Sequence, residues 1–118
     1  MLEDLLRKRS PHTEDKLARK IMKIAGEFFF ELTTGQDLGL ITVTDVKVTR
    51  GKYYTRIWVS FSKLTPDNGK QLQGFLTKCE FSFRKYLSRK LDVFKVPEIE
   101  FILDETLLHV KRIDELLS

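Results

Sequence analysis

The sequence predicts a two-layer α+β domain with helices on one face of a three-stranded sheet. Three observations predict it. Two long stretches repeat apolar residues at helical spacing, two adjacent stretches between them alternate apolar and polar residues, and a last alternating stretch follows the second helix. A strand–helix–strand crossover takes the right-handed route, so the last strand is expected parallel to the second. The chain has 118 residues, enough for one hydrophobic core, and no repeat or linker divides it. Residues 1–12 read as a flexible basic leader and residues 13–118 as the domain.

Taken in order, the leader carries Leu2, Leu5 and Leu6 and then Arg7-Lys8-Arg9. A mobile tail is preferred over an arm that orders on RNA. Ser10-Pro11 breaks the chain, and Ser10 or Thr13 can cap the helix that follows. Leu17, Ile21, Ile24, Phe28 and Leu32 form its core stripe, which Ala18, Met22, Ala25 and Phe29 widen. Lys16, Arg19, Lys20 and Lys23 fall on the outer side with no interleaved acid, a face suited to phosphate. The helix ends near Thr33-Thr34-Gly35, and Gly35 to Gly39 turns into a strand over Leu40 to Thr49. Ile41 and Val43 alternate on one parity, Val46 and Val48 on the other, so a bulge is expected near Thr44-Asp45.

Thr49-Arg50-Gly51-Lys52 reads as a hairpin connection. From Tyr53 to Ser62, Thr55, Ile57, Val59 and Phe61 make one face of a strand, while Tyr54, Arg56, Trp58 and Ser60 make the other. Aromatics on an open sheet can stack bases. The preferred reading is that Trp58 is shielded by the termini or a neighbouring strand. Thr65 as N-cap, Pro66 at the first helical position and Asp67 at the positive dipole end predict the next helix start. Leu72, Leu76, Cys79 and Phe83 are its core stripe, and Cys79 reads as a core filler. Beyond Phe81 the polar positions become cationic: Arg84, Lys85, Arg89, Lys90 and, past the helix, Lys95. That is more charge than capping a dipole needs. After Pro97, a strand points Ile99, Phe101 and Leu103 inward and Glu98 and Glu100 outward; a short C-terminal segment follows.

The formal charge is +4, which favours a polyanionic partner. One cysteine excludes an internal disulfide and fits the cytoplasm. No apolar run suggests a signal peptide or a membrane span. His12 and His109 lie far apart, and no HExxH, CxxC, P-loop or GxGxxG occurs, so neither an enzyme, a metal site nor a cofactor is expected. Asp104-Glu105 is a carboxylate pair, but Asp104 is better explained as a helix cap.

Three stretches resemble the ribosome-binding factor A family. They are the first helix leading to Asp37-Leu38-Gly39, Ile41-Thr42-Val43 and Val46-Lys47-Val48; the strand from Arg56 to Phe61; and Val96-Pro97-Glu98-Ile99-Glu100-Phe101 followed by Asp104, Thr106, Arg112-Ile113 and Leu116-Leu117. The last pattern is the most specific, and coverage runs from about Lys16 to Leu117. The resemblance implies a type II KH-like domain, ordered helix, strand, strand, kinked helix, strand. It also implies a monomeric, cytoplasmic, non-catalytic factor that binds the small (30S) ribosomal subunit and its 16S rRNA. Such factors assist late maturation near the 5′ end of that rRNA and matter most in cold growth. In this family a kink, usually Ala-x-Gly, replaces the G-x-x-G loop of ordinary KH domains. Here it aligns with Cys79-Glu80-Phe81, and phenylalanine does not readily adopt a left-handed conformation. Either the kink persists with other dihedrals or this helix is straighter.

KH-like modules contact phosphates and single-stranded junctions, since the deep groove of an RNA helix is closed to side chains. The expected RNA-binding residues are therefore Arg84, Lys85, Arg89, Lys90 and Lys95, with Lys78 before them. Arg50 and Lys52 at the hairpin tip extend the set, and Lys16, Arg19, Lys20 and Lys23 are secondary. The alternative is a protein–protein adaptor whose basic residues serve solubility; a small nucleic-acid enzyme is a third and weaker reading.

Overall fold

Ile21, Ile24, Phe28 and Phe29 on one helix and Leu76, Phe83 and Leu87 on another close over the inner side chains of a three-stranded sheet. This computed structural model describes the backbone of residues 2–49, 54–91 and 96–117, with side chains from residue 15 onward except 111, 112 and 115. The elements are α1 (Leu2–Thr33), β1 (Ile41–Val48), β2 (Tyr54–Phe61), α2 (Gly69–Lys90), β3 (Glu98–Leu103) and α3 (Thr106–Leu117). Strand order is β1-β2-β3. β1 runs antiparallel to β2 and β3 runs parallel to it, as the crossover rule expects.

Alternation decides which face of the sheet is buried. Thr55, Ile57, Val59 and Phe61 point to the helices, with Val48, Ile99 and Phe101 from the flanking strands. The register of β1 shifts between Val43 and Asp45, the bulge that the change of parity predicts. Of the residues expected in the core, Leu17, Ala18, Leu32, Leu72, Cys79 and Leu103 pack at its margin and the others are buried, except Met22, which is 37% exposed at the edge of the α1 stripe. Phe28, Phe29, Phe83 and Phe101 form its centre, each ring 5.2 Å from the next and edge-on or tilted.

Two boundaries differ from expectation. First, α1 begins at Leu2, upstream of Ser10-Pro11. A proline removes one amide donor, but the Leu, Glu, Lys and Arg around it are strong helix formers. Second, α2 begins at Gly69, not after Thr65. The Thr65 hydroxyl accepts from the Asp67 amide, while Asn68 Oδ1 accepts from the Thr65 amide and its Nδ2 donates to the Lys63 carbonyl. These local bonds hold Thr65–Asn68 in a turn instead of starting the helix. Between the two outcomes left open at Cys79-Glu80-Phe81, a kink with other dihedrals or a straighter helix, the structure shows helical residues running unbroken from Gly69 to Lys90. Phe81 stays in right-handed helix, where a glycine would have permitted another conformation.

The α1–β1 turn uses glycine as its spacing predicts. Gly35 and Gly39 have φ of 78° and 71°. A Cβ at Gly39 would lie 2.7 Å from Ser62 Oγ, the atom that accepts the Leu40 amide at 2.8 Å.

Candidate nucleic-acid interface

The cations of α2 divide by direction, because successive helical residues point about 100° apart. Arg84 turns sideways to the approach of β3. Its Nη2 donates to the Val96 carbonyl at 3.4 Å and its Nη1 lies 3.7 Å from Glu98. Two further residues share this flank. Gln73 donates to the Phe101 carbonyl and accepts from the Leu103 amide, both at 2.8 Å, and Glu80 accepts from the Phe101 amide at 3.0 Å. Residues 73, 80 and 84 fall in one row only because the helix continues through residue 80. Together they pair the backbone of an edge strand that would otherwise lack partners. Arg84 is thus half-buried and structurally engaged, unlike the exposed position expected of it.

Lys78, Lys85 and Arg89 point to solvent on one face, with Phe81 among them. The Lys85 ammonium sits 4.6 Å from the centroid of the Phe81 ring, which is 68% exposed. Lys90 turns the other way, toward α1. There Lys20, Lys23, Ile24 and Glu27 meet Lys90 and Leu91 around a groove of about 330 Å³. Lys90 and Arg89 lie 5.3 and 6.0 Å from the Tyr86 ring centroid. The Tyr86 hydroxyl, pushed up by burial and then by Glu31, donates to the Glu31 carboxylate at 3.3 Å. Among the described residues, Lys16, Lys20, Lys23, Lys78, Lys85, Arg89 and Lys90 have no carboxylate within ion-pair distance.

Arg19 makes no ion pair among the described residues either, but it faces another way. It lines a second groove of about 340 Å³ with Asp15 and Asp45, between α1 and β1. Two carboxylates beside one guanidinium make a poor phosphate site. Arg50, Lys52 and Lys95 lie outside the described residues, as do the side chains of Lys111 and Arg112. Sequence reasoning weighed Phe81 only for its backbone and missed its exposure. It also missed the edge-pairing of Gln73 and Glu80, whose signal was a polar row at spacings of seven and four along the flank of the core stripe.

Among the described residues, no three metal-ligating side chains gather and no helix is long and apolar enough to cross a membrane. Burial pushes the Cys79 thiol up, which disfavours the nucleophilic thiolate. Asp104 accepts from the Thr106 amide at 2.9 Å and the Thr106 hydroxyl at 2.5 Å, and from the Thr44 hydroxyl at 2.6 Å. It is committed to the β3–α3 corner.

A mixed three-stranded sheet, covered on one face by two helices in the order helix, strand, strand, helix, strand, defines a KH-like domain. A crystal structure of ribosome-binding factor A from Thermus thermophilus superposes with a TM-score of 0.64 at 18% identity, covering 76% of this chain and 94% of that one. A Thermus thermophilus ribosome binding factor A model, fitted into an electron-microscopy map of its complex with 30S, has a TM-score of 0.57 at 20% identity over 80% of this chain and 94% of that one. This chain belongs to the ribosome-binding factor A family, whose model matches residues 13–117. Ribosome-binding factor A of Limosilactobacillus fermentum is 32% identical over 105 residues, 88% of this chain and 87% of that one. The Clostridium botulinum protein of the same name is 35% identical over 79 residues, 67% and 68% of the two chains.

Proposed function

We propose that this protein is a non-catalytic assembly factor that binds the small ribosomal subunit through 16S rRNA. It assists late maturation near the 5′ end of that rRNA and matters most during growth in the cold. Residues 13–118 act as one RNA-binding domain, with residues 1–12 as a leader outside it, and the protein works as a cytoplasmic monomer without cofactor or metal. The observation that carries this reading is the meeting of Lys20 and Lys23 with Lys90 across the α1–α2 groove, continued by Lys78, Lys85 and Arg89 on the outer face of α2. Cations from two helices on one layer suit a phosphate backbone, and rRNA shape supplies the selectivity. Lys16 extends the surface along α1, and Arg50, Lys52 and Lys95 extend it beyond the described residues. Arg84 supports the fold beside it. The complex of the Thermus thermophilus relative with 30S supports the small-subunit part of this reading.

Cosedimentation with small subunits across a salt series tests it. Binding should fall steeply with ionic strength, by roughly 0.7–0.9 logarithmic units per phosphate contact for each tenfold rise in salt. Binding that ignores salt would favour a protein–protein adaptor instead.

A further inference from the structure

We infer that Phe81 is a stacking platform that holds one unpaired nucleobase against the cationic stripe of α2. This deepens the RNA-binding reading above and rests on it. The ring is 68% exposed, whereas Phe83, two residues on, is fully buried. Phenylalanine is a mediocre helix former, and at this exposure its ring contributes little burial energy. A lone exposed phenylalanine is ordinary on a protein surface. Its neighbours distinguish this one. Lys78 lies three residues before it and Lys85 four after, so all three share one helical face. The Lys85 ammonium sits over the ring at 4.6 Å, and the exposure leaves the rest of the ring open to a base. An aromatic surface between two cations is the arrangement that binds single strands: lysines take the phosphates on either side, and the ring takes a base of any identity. The base must be unpaired, since bases within a duplex are already stacked and its deep groove is closed to side chains. The same continuity of α2 that puts Glu80 on β3 puts Phe81 on the outer face.

The test uses the full chain and a short single-stranded oligoribonucleotide carrying 2-aminopurine, with a blunt RNA duplex as control. The unsubstituted chain should change the 2-aminopurine fluorescence on binding. Phe81→Leu keeps apolar bulk and a good helix former but removes the π-face. It should abolish the fluorescence change and weaken single-strand binding roughly tenfold at every salt concentration, leaving the salt slope intact because no charge is lost. Duplex binding and the urea midpoint should not move, and Phe81→Trp should restore both affinity and signal. A Leu variant that keeps the affinity and the fluorescence change, while binding remains salt-dependent, overturns the stacking and leaves the RNA reading standing. If the unsubstituted chain binds neither oligoribonucleotide nor small subunits at any salt, the RNA reading falls and the stacking with it.

Discussion

The helical layer and the open face of the sheet use the same residue types to opposite ends. On the sheet, Arg56 and Tyr54 are engaged: Arg56 Nε lies 3.4 Å from Glu100, the Tyr54 hydroxyl donates to that carboxylate at 2.8 Å, and the guanidinium lies 5.8 Å from the Tyr54 ring centroid. Trp58 is half-buried, and its register partners on the flanking strands are Asp45 and Ile102. On the helices, the cations stand beside the Phe81 and Tyr86 rings and, among the described residues, make no ion pair, although Glu27 lines the groove that Lys20, Lys23 and Lys90 share. Aromatic and basic composition alone therefore does not mark a nucleic-acid surface. What marks it is several cations without ion pairs gathered on one surface, where, among the described residues, the sheet has Lys47 alone.

The most severe way to break this contrast is to part the two layers. Phe83 joins them through Phe28 on one side and Phe101 on the other. Phe83→Ala should cost about 3–5 kcal/mol, read from urea unfolding, and abolish subunit binding through loss of the fold. A cost below about 1 kcal/mol would show that the aromatic centre does not hold the layers together.

Charge reversal sharpens the contrast without unfolding. Lys23→Glu with Lys90→Glu should weaken subunit binding by about two orders of magnitude and lower its salt slope by roughly 1.5–2. Lys47→Glu with Arg56→Glu, on the sheet face, should leave the slope unchanged. Equal loss from both pairs would mean that only net charge counts.

Within α2 the same contrast separates neighbours. Arg84→Glu should destabilise by roughly 1–2 kcal/mol, because it removes the bond to Val96 and sets a carboxylate against Glu98. Lys85→Glu should leave stability alone and lower the salt slope by about 1. The opposite assignment of effects would return Arg84 to the RNA surface.

The smallest effect lies away from both faces. The Thr106 hydroxyl, then the Thr44 hydroxyl and the Thr106 amide, hold the Asp104 carboxyl below its ordinary 3.8. A carboxyl depressed by folding contributes stability that is complete above pH 3.8 and is lost as pH falls from there through the lowered value. Asp104→Asn should flatten the acid limb of the stability profile without altering the salt dependence of binding. An unchanged acid limb would mean that Asp104 does not govern it.

Much of this architecture is local information. Spacings of three and four along α1 and α2, alternation along β2 and β3, and the parity change in β1 each report which side of an element is apolar. Burial follows from that without knowing its partner. Chain handedness then orders the strands. Membership of the core was legible for the same reason, down to Cys79 at its margin. The use of each cation was not. Arg84 and Lys85 are adjacent and alike in sequence, yet one pairs with β3 and the other faces solvent. Their difference depends on where α2 lies across the sheet, which distant residues such as Phe28 and Phe101 decide through packing. Likewise Lys90 meets Lys20 and Lys23 only where the two helices cross, although some seventy residues separate them in the chain. Periodicity tells a side chain which way to point; only the packed structure decides what it meets there.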